Sequence, residues 1–166
     1  MESIKTIRKG NFVGRIHIDH DATSPREWDN FSIVVCLSEY KKLADKGTPT
    51  AKLSEDLLEE VEALDPLYIK EIWVNGDFIG YAYVTPVKAK AEGIQDPAKI
   101  AEVVQAEVQT YVRYLSGETY GYTITEEEEG EDEKGPYKLT RDVESCWSFI
   151  GFEVVEEELK SALDNL

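Results

Sequence analysis

The chain is poor in the residues that most often announce a function. It has two cysteines, two histidines and one methionine in 166 residues, and its two histidines sit close together near the N-terminus. So few imidazoles and thiols leave no Ser/His/Asp or Cys/His set readable along the chain and no closed shell of metal ligands. No glycine-rich phosphate-cradling motif occurs either. The longest uninterrupted apolar run is Ile33 to Leu37, far below the roughly 20 residues that span a bilayer, and no apolar signal-like region opens the chain. The expected setting is therefore the cytoplasm. Cys36 and Cys146 both lie among apolar neighbours, which suits reduced thiols used as small core residues. Basic residues are also scarce: 18 Lys and Arg against 34 Asp and Glu give a net charge of −16. Such a balance repels phosphate backbones and anionic lipid, which argues against direct nucleic-acid or membrane binding and favours basic partners or plain solubility.

What is present reads as an α+β domain. Ser3 to Arg8 and Phe12 to Asp19 form two strands around Lys9-Gly10-Asn11, and alternation puts Arg15, His17 and Asp19 on one face, expected to meet water or a shallow groove. His20 to Asn30 lacks periodicity and is expected to be a loop. Phe31 to Leu37 is β-branched and nearly all apolar, as in a strand covered on both faces. A short helix and a flexible Lys46-Gly47-Thr48-Pro49 connection follow. Leu53 to Leu64 carries a helical apolar stripe, with Ser54 as its cap and Asp65-Pro66 as its stop. Asn75-Gly76 between two strand-like runs predicts a hairpin with a type I′ turn. Asp96-Pro97 opens a long helix to Leu115, with Gly117 placed for a left-handed end. Tyr120 to Thr125 and Leu139 to Ile150 read as strands, and a last helix carries Val155, Leu159, Ala162, Leu163 and Leu166. Between those two strands, Glu126 to Gly135 holds seven acids and one lysine, so a mobile loop is expected there. The expected architecture is one domain over residues 1–166, with a mainly antiparallel sheet of about six strands packed by one long and two shorter helices.

Four blocks follow one another along the chain: Trp28-Asp29-Asn30, Ile79-Gly80-Tyr81-Ala82-Tyr83-Val84, Gly117-Glu118-Thr119-Tyr120-Gly121-Tyr122, and Glu144-Ser145-Cys146-Trp147-Ser148-Phe149-Ile150-Gly151. In them the chain resembles a family of small proteins encoded in bacteriophage and prophage genomes. The resemblance implies a setting, an accessory protein in the host bacterial cytoplasm, and no particular activity. The chain departs from the pattern after Cys36. Many of those relatives carry an aromatic and basic segment there, where this chain has Leu37-Ser38-Glu39-Tyr40-Lys41-Lys42.

Three candidate sites follow from the residues. His17, Asp19, His20, Asp21 and Asp29 place imidazoles and carboxylates near one another, as a hydrolytic metal site needs; an oxygen-only set would use Asp19, Asp21 and Asp29. The competing reading is a polar strand end followed by a solvated loop. Arg26, Trp28, Asp29 and Asn30 form the second candidate, a recognition surface, since Trp and Arg dominate binding hot spots. Here the competing reading has Trp28 plugging the core while Asp29 and Asn30 bond loop backbone. The third is the acid surplus, above all Glu126, Glu127, Glu128 and Glu129, which can imitate the charge of duplex DNA or merely confer solubility. The preferred function is a non-enzymatic phage accessory protein with no cofactor that binds a host or phage protein, with acidic mimicry of DNA against a host defence enzyme as its sharpest form. A metal-dependent enzyme using His17 to Asp29 and a minor virion or assembly component are the alternatives.

Overall fold

In the computed structural model, which describes residues 2–43 and 47–166, alternation and turn chemistry produce seven strands and five α-helices. They are β1 (Lys5–Lys9), β2 (Phe12–Ile18), β3 (Ile33–Cys36), α1 (Leu37–Leu43), α2 (Thr50–Glu62), β4 (Tyr68–Val74), β5 (Asp77–Val84), α3 (Pro86–Glu92), α4 (Pro97–Leu115), β6 (Thr119–Asp132), β7 (Gly135–Ile150) and α5 (Phe152–Asp164). The fold class is α+β. All strand pairing is antiparallel. In place of one sheet of about six strands there are two, ordered β1-β2-β6-β7 and β3-β5-β4. Each belongs to its own compact unit. One unit is made of residues 1–23 and 117–166, the other of Ser24–Ser116.

In the first unit, α5 lies on one face of the four-stranded sheet. Val155, Leu159 and Leu163 recur along one side of α5 and meet Ile16, Tyr122 and Ile124 in a fully apolar cluster. Gly14 makes this approach possible: an added Cβ there would stand 2.6 Å from a methyl of Leu159. Leu166, expected on this stripe, is instead exposed.

The second unit wraps its three-stranded sheet between helices. Ile100, Val104, Val108 and Tyr111 of α4 pack on Phe31, Ile72, Ala82 and Val84, while Leu53, Leu57 and Val61 of α2 meet Leu37, Tyr81 and Tyr83. The β4–β5 hairpin turns as the sequence dictates, with φ of 51° at Asn75 and 82° at Gly76. Asp96 caps α4, accepting from Ala98 N–H at 3.2 Å, and Gly117 is left-handed.

Three local expectations are corrected, and one helix is added. Strand β3 is an edge strand with Ile33 exposed, so it is not covered on both faces. Helix α2 starts at Thr50 behind Pro49, and Ser54 lies inside it, its hydroxyl donating to the Thr50 carbonyl at 2.9 Å. The added helix is α3, for which the sequence carried no assignment: the Thr85 hydroxyl accepts from Lys88 N–H at its start and Gly93 closes its end in the left-handed region. Cys146 is exposed on β7, whereas Cys36 is buried as expected. Within the connection expected at Lys46-Gly47-Thr48-Pro49, Lys46 lies outside the described residues.

Candidate functional site

The acid-rich stretch is ordered as strand. Beyond Phe12↔Glu126, the last pair between β2 and β6, the β6–β7 hairpin runs on as a two-stranded arm, paired from Glu127↔Thr140 to Asp132↔Gly135. The expected mobile loop at 126–135 is therefore corrected. Composition alone counts seven acids and one lysine, but pairing brings Lys138 and Arg141 of β7 and Arg8 and Arg15 of β1 and β2 alongside them. Glu127 takes three of these cations: Arg15 at 2.9 Å, Arg8 at 3.1 Å and Lys138 at 3.1 Å. The bonds from Arg8, Lys138 and Arg15 hold its carboxyl down at about 2, against an ordinary value of 4.5. Glu126 pairs with Arg141.

The other acids of the arm are different. Glu128, Glu129, Glu131 and Glu133 are exposed, and none makes an ion pair among the described residues. Asp132 spends one oxygen on the turn, accepting from Lys134 N–H at 2.8 Å. Gly130 allows the turn end to close, since Tyr137 lies across it where an added Cβ would stand 2.3 Å from the ring. Tyr137 and Leu139 leave an exposed apolar strip beside the acids.

The Arg26 to Asn30 cluster splits by role. Ser24 caps a single 3-10 turn over Pro25–Glu27. Arg26 is committed to its own unit. Its guanidinium meets Glu39 in a two-pronged pair at 3.0 and 3.3 Å and reaches the Val34 carbonyl and Cys36 Sγ. Bonding to Glu39 raises the Arg26 pKa and lowers that of Glu39. Asn30 behaves as loop chemistry suggests, donating to the Pro25 carbonyl at 2.5 Å and the Trp28 carbonyl at 3.2 Å. Trp28 does not plug the core, being 44% exposed. Among the described residues Asp29 bonds no loop backbone; its side chain is 96% exposed, with Lys88 Nζ at 3.8 Å.

The residue that sets this loop was not singled out from the sequence. Glu107 of α4 accepts from Phe31 N–H at 2.7 Å, from Ser32 N–H at 2.8 Å and from the Ser32 hydroxyl. Only its position facing a polar loop end distinguishes it from any other helix glutamate, and that position is tertiary. Tyr111, one turn further, sits 3.7 Å from Cys36 Sγ, and burial together with this contact pushes its hydroxyl up to about 12.

His17 and Asp19 do not face water. They are 6% and 8% exposed, because β7 folds its Trp147 and Ser148 over that face of β2. The Trp147 ring stacks on His17 with centroids 5.9 Å apart, and His17 Nε2 lies 3.0 Å from the Thr123 hydroxyl. Both carboxylate oxygens of Asp19 are used by backbone: Oδ1 accepts from Asp21 N–H at 3.0 Å and Oδ2 from Ser148 N–H at 2.8 Å. The Asp19 carbonyl also accepts from the Thr119 hydroxyl at 2.7 Å. The Asp21 and His20 side chains point to solvent. Among the described residues no three His, Cys, Asp or Glu side chains gather in a form able to hold a metal ion. Asp19 is thus an organiser of chain crossings, built like a buried cap.

No protein-family model, curated protein or solved structure matches the chain. Among the described residues no helix is long and apolar enough to cross a membrane.

Proposed function

We propose that this chain is a non-enzymatic phage accessory protein that binds another protein in the bacterial cytoplasm through the acidic β6–β7 arm, offering it a rail of charge in place of nucleic acid. One observation carries the reading. Six of the seven residues from Glu126 to Asp132 are acids held in a strand, which at about 3.3 Å per residue sets successive carboxylates one step apart along the axis on alternate faces, and about 6.6 Å apart on either face. A single DNA strand carries one charge per about 3.4 Å of axis. Glu128, Glu129, Glu131 and Glu133 have no ion pair among the described residues, so they are available to a cationic partner. A net charge of −16 keeps nucleic acid itself away and draws in proteins built to bind it.

The test is retention from nuclease-treated bacterial lysate on the tagged chain. The expected result is a stoichiometric DNA-binding protein that elutes with moderate salt or with added duplex DNA, and that is lost when Glu128, Glu129, Glu131 and Glu133 are changed together to Gln. Retention of nothing at low salt, or retention indifferent to the fourfold change, overturns the reading.

A further inference from the structure

β7 is the outermost strand of its sheet, and among the described residues no strand pairs with its far side. Which of its backbone groups are free follows from the register. Asp132 and Gly135 flank the two-residue turn Glu133-Lys134 and close it as a hydrogen-bonded pair, after which bonded and non-bonded pairs alternate along an antiparallel ladder. The pairs Glu129↔Lys138, Glu127↔Thr140 and Thr125↔Asp142 are then the non-bonded ones. An independent contact fixes the phase: Glu127 N–H donates away from β7, to the Asn11 carbonyl at 2.7 Å. The N–H and C=O groups of Lys138, Thr140 and Asp142 therefore point out of the sheet edge. Pro136 occupies the equivalent position nearer the turn, where its missing N–H costs nothing, and a register shift after Asp142 ends the regular edge.

The opposite edge suits a cationic strand less. β1 has five residues, and its only charged side chains are the bases Lys5, Arg8 and Lys9, which repel such an occupant. On β7 the open slot is bounded at both ends by Pro136 and the register shift, and it continues into a groove of about 370 Å³ that includes Asp142, Val143, Glu144 and Trp147.

Building on the function proposed above, we propose that the partner docks here as an extended cationic segment, adding a strand alongside Lys138–Asp142 with basic side chains on the face of Glu129 and Glu131 and apolar ones on the opposite face, toward the exposed Tyr137 and Leu139. Charge selects this occupant over a second copy of the chain. From Glu126 to Arg141 the arm holds seven acids and three bases, so two arms side by side repel, whereas a lysine-rich strand is attracted. Main-chain bonds supply affinity and alternate side chains supply selectivity.

The probe is an eight-residue peptide alternating lysine and valine, titrated into the intact chain. At saturation, amide hydrogen exchange at Lys138, Thr140 and Asp142 slows at least about tenfold, while Leu139 and Arg141, already bonded to β6, change little. Thr140→Pro removes one outward donor and leaves the β6 ladder whole. It weakens peptide binding by about tenfold or more with an unchanged far-ultraviolet spectrum. Should Thr140→Pro fail to fold, the exchange pattern of the wild type decides alone. Binding that is lost in the fourfold Gln variant but brings no protection at Lys138, Thr140 and Asp142 leaves the acidic-arm reading standing and overturns strand addition. No binding by the wild type overturns the cationic occupant. So does a Thr140→Pro-sensitive dimer in sedimentation equilibrium, which would assign the edge to a second copy.

Discussion

Ser148 N–H donates to Asp19 Oδ2 at 2.8 Å, and the bond coincides with a left-handed backbone at Ser148, φ 66°. A serine in that region is strained by its Cβ, so Asp19 holds a conformation that the local sequence does not prefer. Asp19→Ala leaves the amides of Asp21 and Ser148 without their acceptor and lowers stability by about 2 to 3 kcal/mol in urea unfolding, the cost of lost bonds to a charged group. The loss is the same with magnesium or with chelator. Ser148→Gly, by contrast, relieves the strain and leaves stability unchanged or raised by up to about 1 kcal/mol.

Glu127 titrates with a sign fixed by its cations. Its folded pKa, about 2, lies below the ordinary 4.5. Its contribution is therefore complete above the ordinary value and drains away as pH falls from there toward about 2. Glu127→Gln leaves Arg8, Arg15 and Lys138 converging without their anion, so it is less stable than wild type at neutral pH. Urea unfolding across pH 5 to 2 shows the gap closing in that window; a gap independent of pH contradicts the ion-pair account.

Glu107→Ala leaves the Phe31 and Ser32 amides without their acceptor, and both residues are buried. The expected cost is about 3 kcal/mol, with faster amide exchange concentrated at positions 31 and 32. Glu107→Gln retains one acceptor oxygen and loses about half as much.

Much of the second unit was legible because its signals are local. Asn75-Gly76 demands positive φ, Asp96-Pro97 supplies a cap and a first helical residue, and the α4 stripe repeats at helical spacing; each works within a few residues. The arm was not legible, because the cations that accompany Glu126 and Glu127 come from β1, β2 and β7, and a window over 126–135 contains none of them, its one base being Lys134 of the turn. His17 and Asp19 failed for the same reason. Alternation correctly placed them on one face, but that face is covered by Trp147 and Ser148, with Ser148 129 residues beyond Asp19. Asn30 was readable as a backbone binder since its partners are its own neighbours, whereas Glu107 acts 75 and 76 residues away.

Gly121 is the seat of Trp147. An added Cβ would stand 2.0 Å from the indole ring, and the ring is the lid over His17. Gly121→Ala displaces the indole and costs about 1 to 3 kcal/mol as an overpacked contact. In a Trp28→Phe, Trp73→Phe background, the remaining emission shifts to the red as Trp147 moves into water; an unshifted spectrum with wild-type stability contradicts the contact.

The division into two units also sets an order of events on the ribosome. Residues Ser24–Ser116 form one uninterrupted unit, while the other draws its first two strands from before that unit and the rest from after it. Arg15 and Thr125, neighbours across the β2–β6 ladder, are 110 residues apart in the chain. At about 5 to 20 residues per second of synthesis, the β1–β2 hairpin waits roughly 5 to 20 s for β6 to emerge. Through that interval Ile7 and Ile16 have no α5 to cover them, and the middle unit is free to fold first. The nascent hairpin, with its apolar face bare, is the stage most exposed to aggregation.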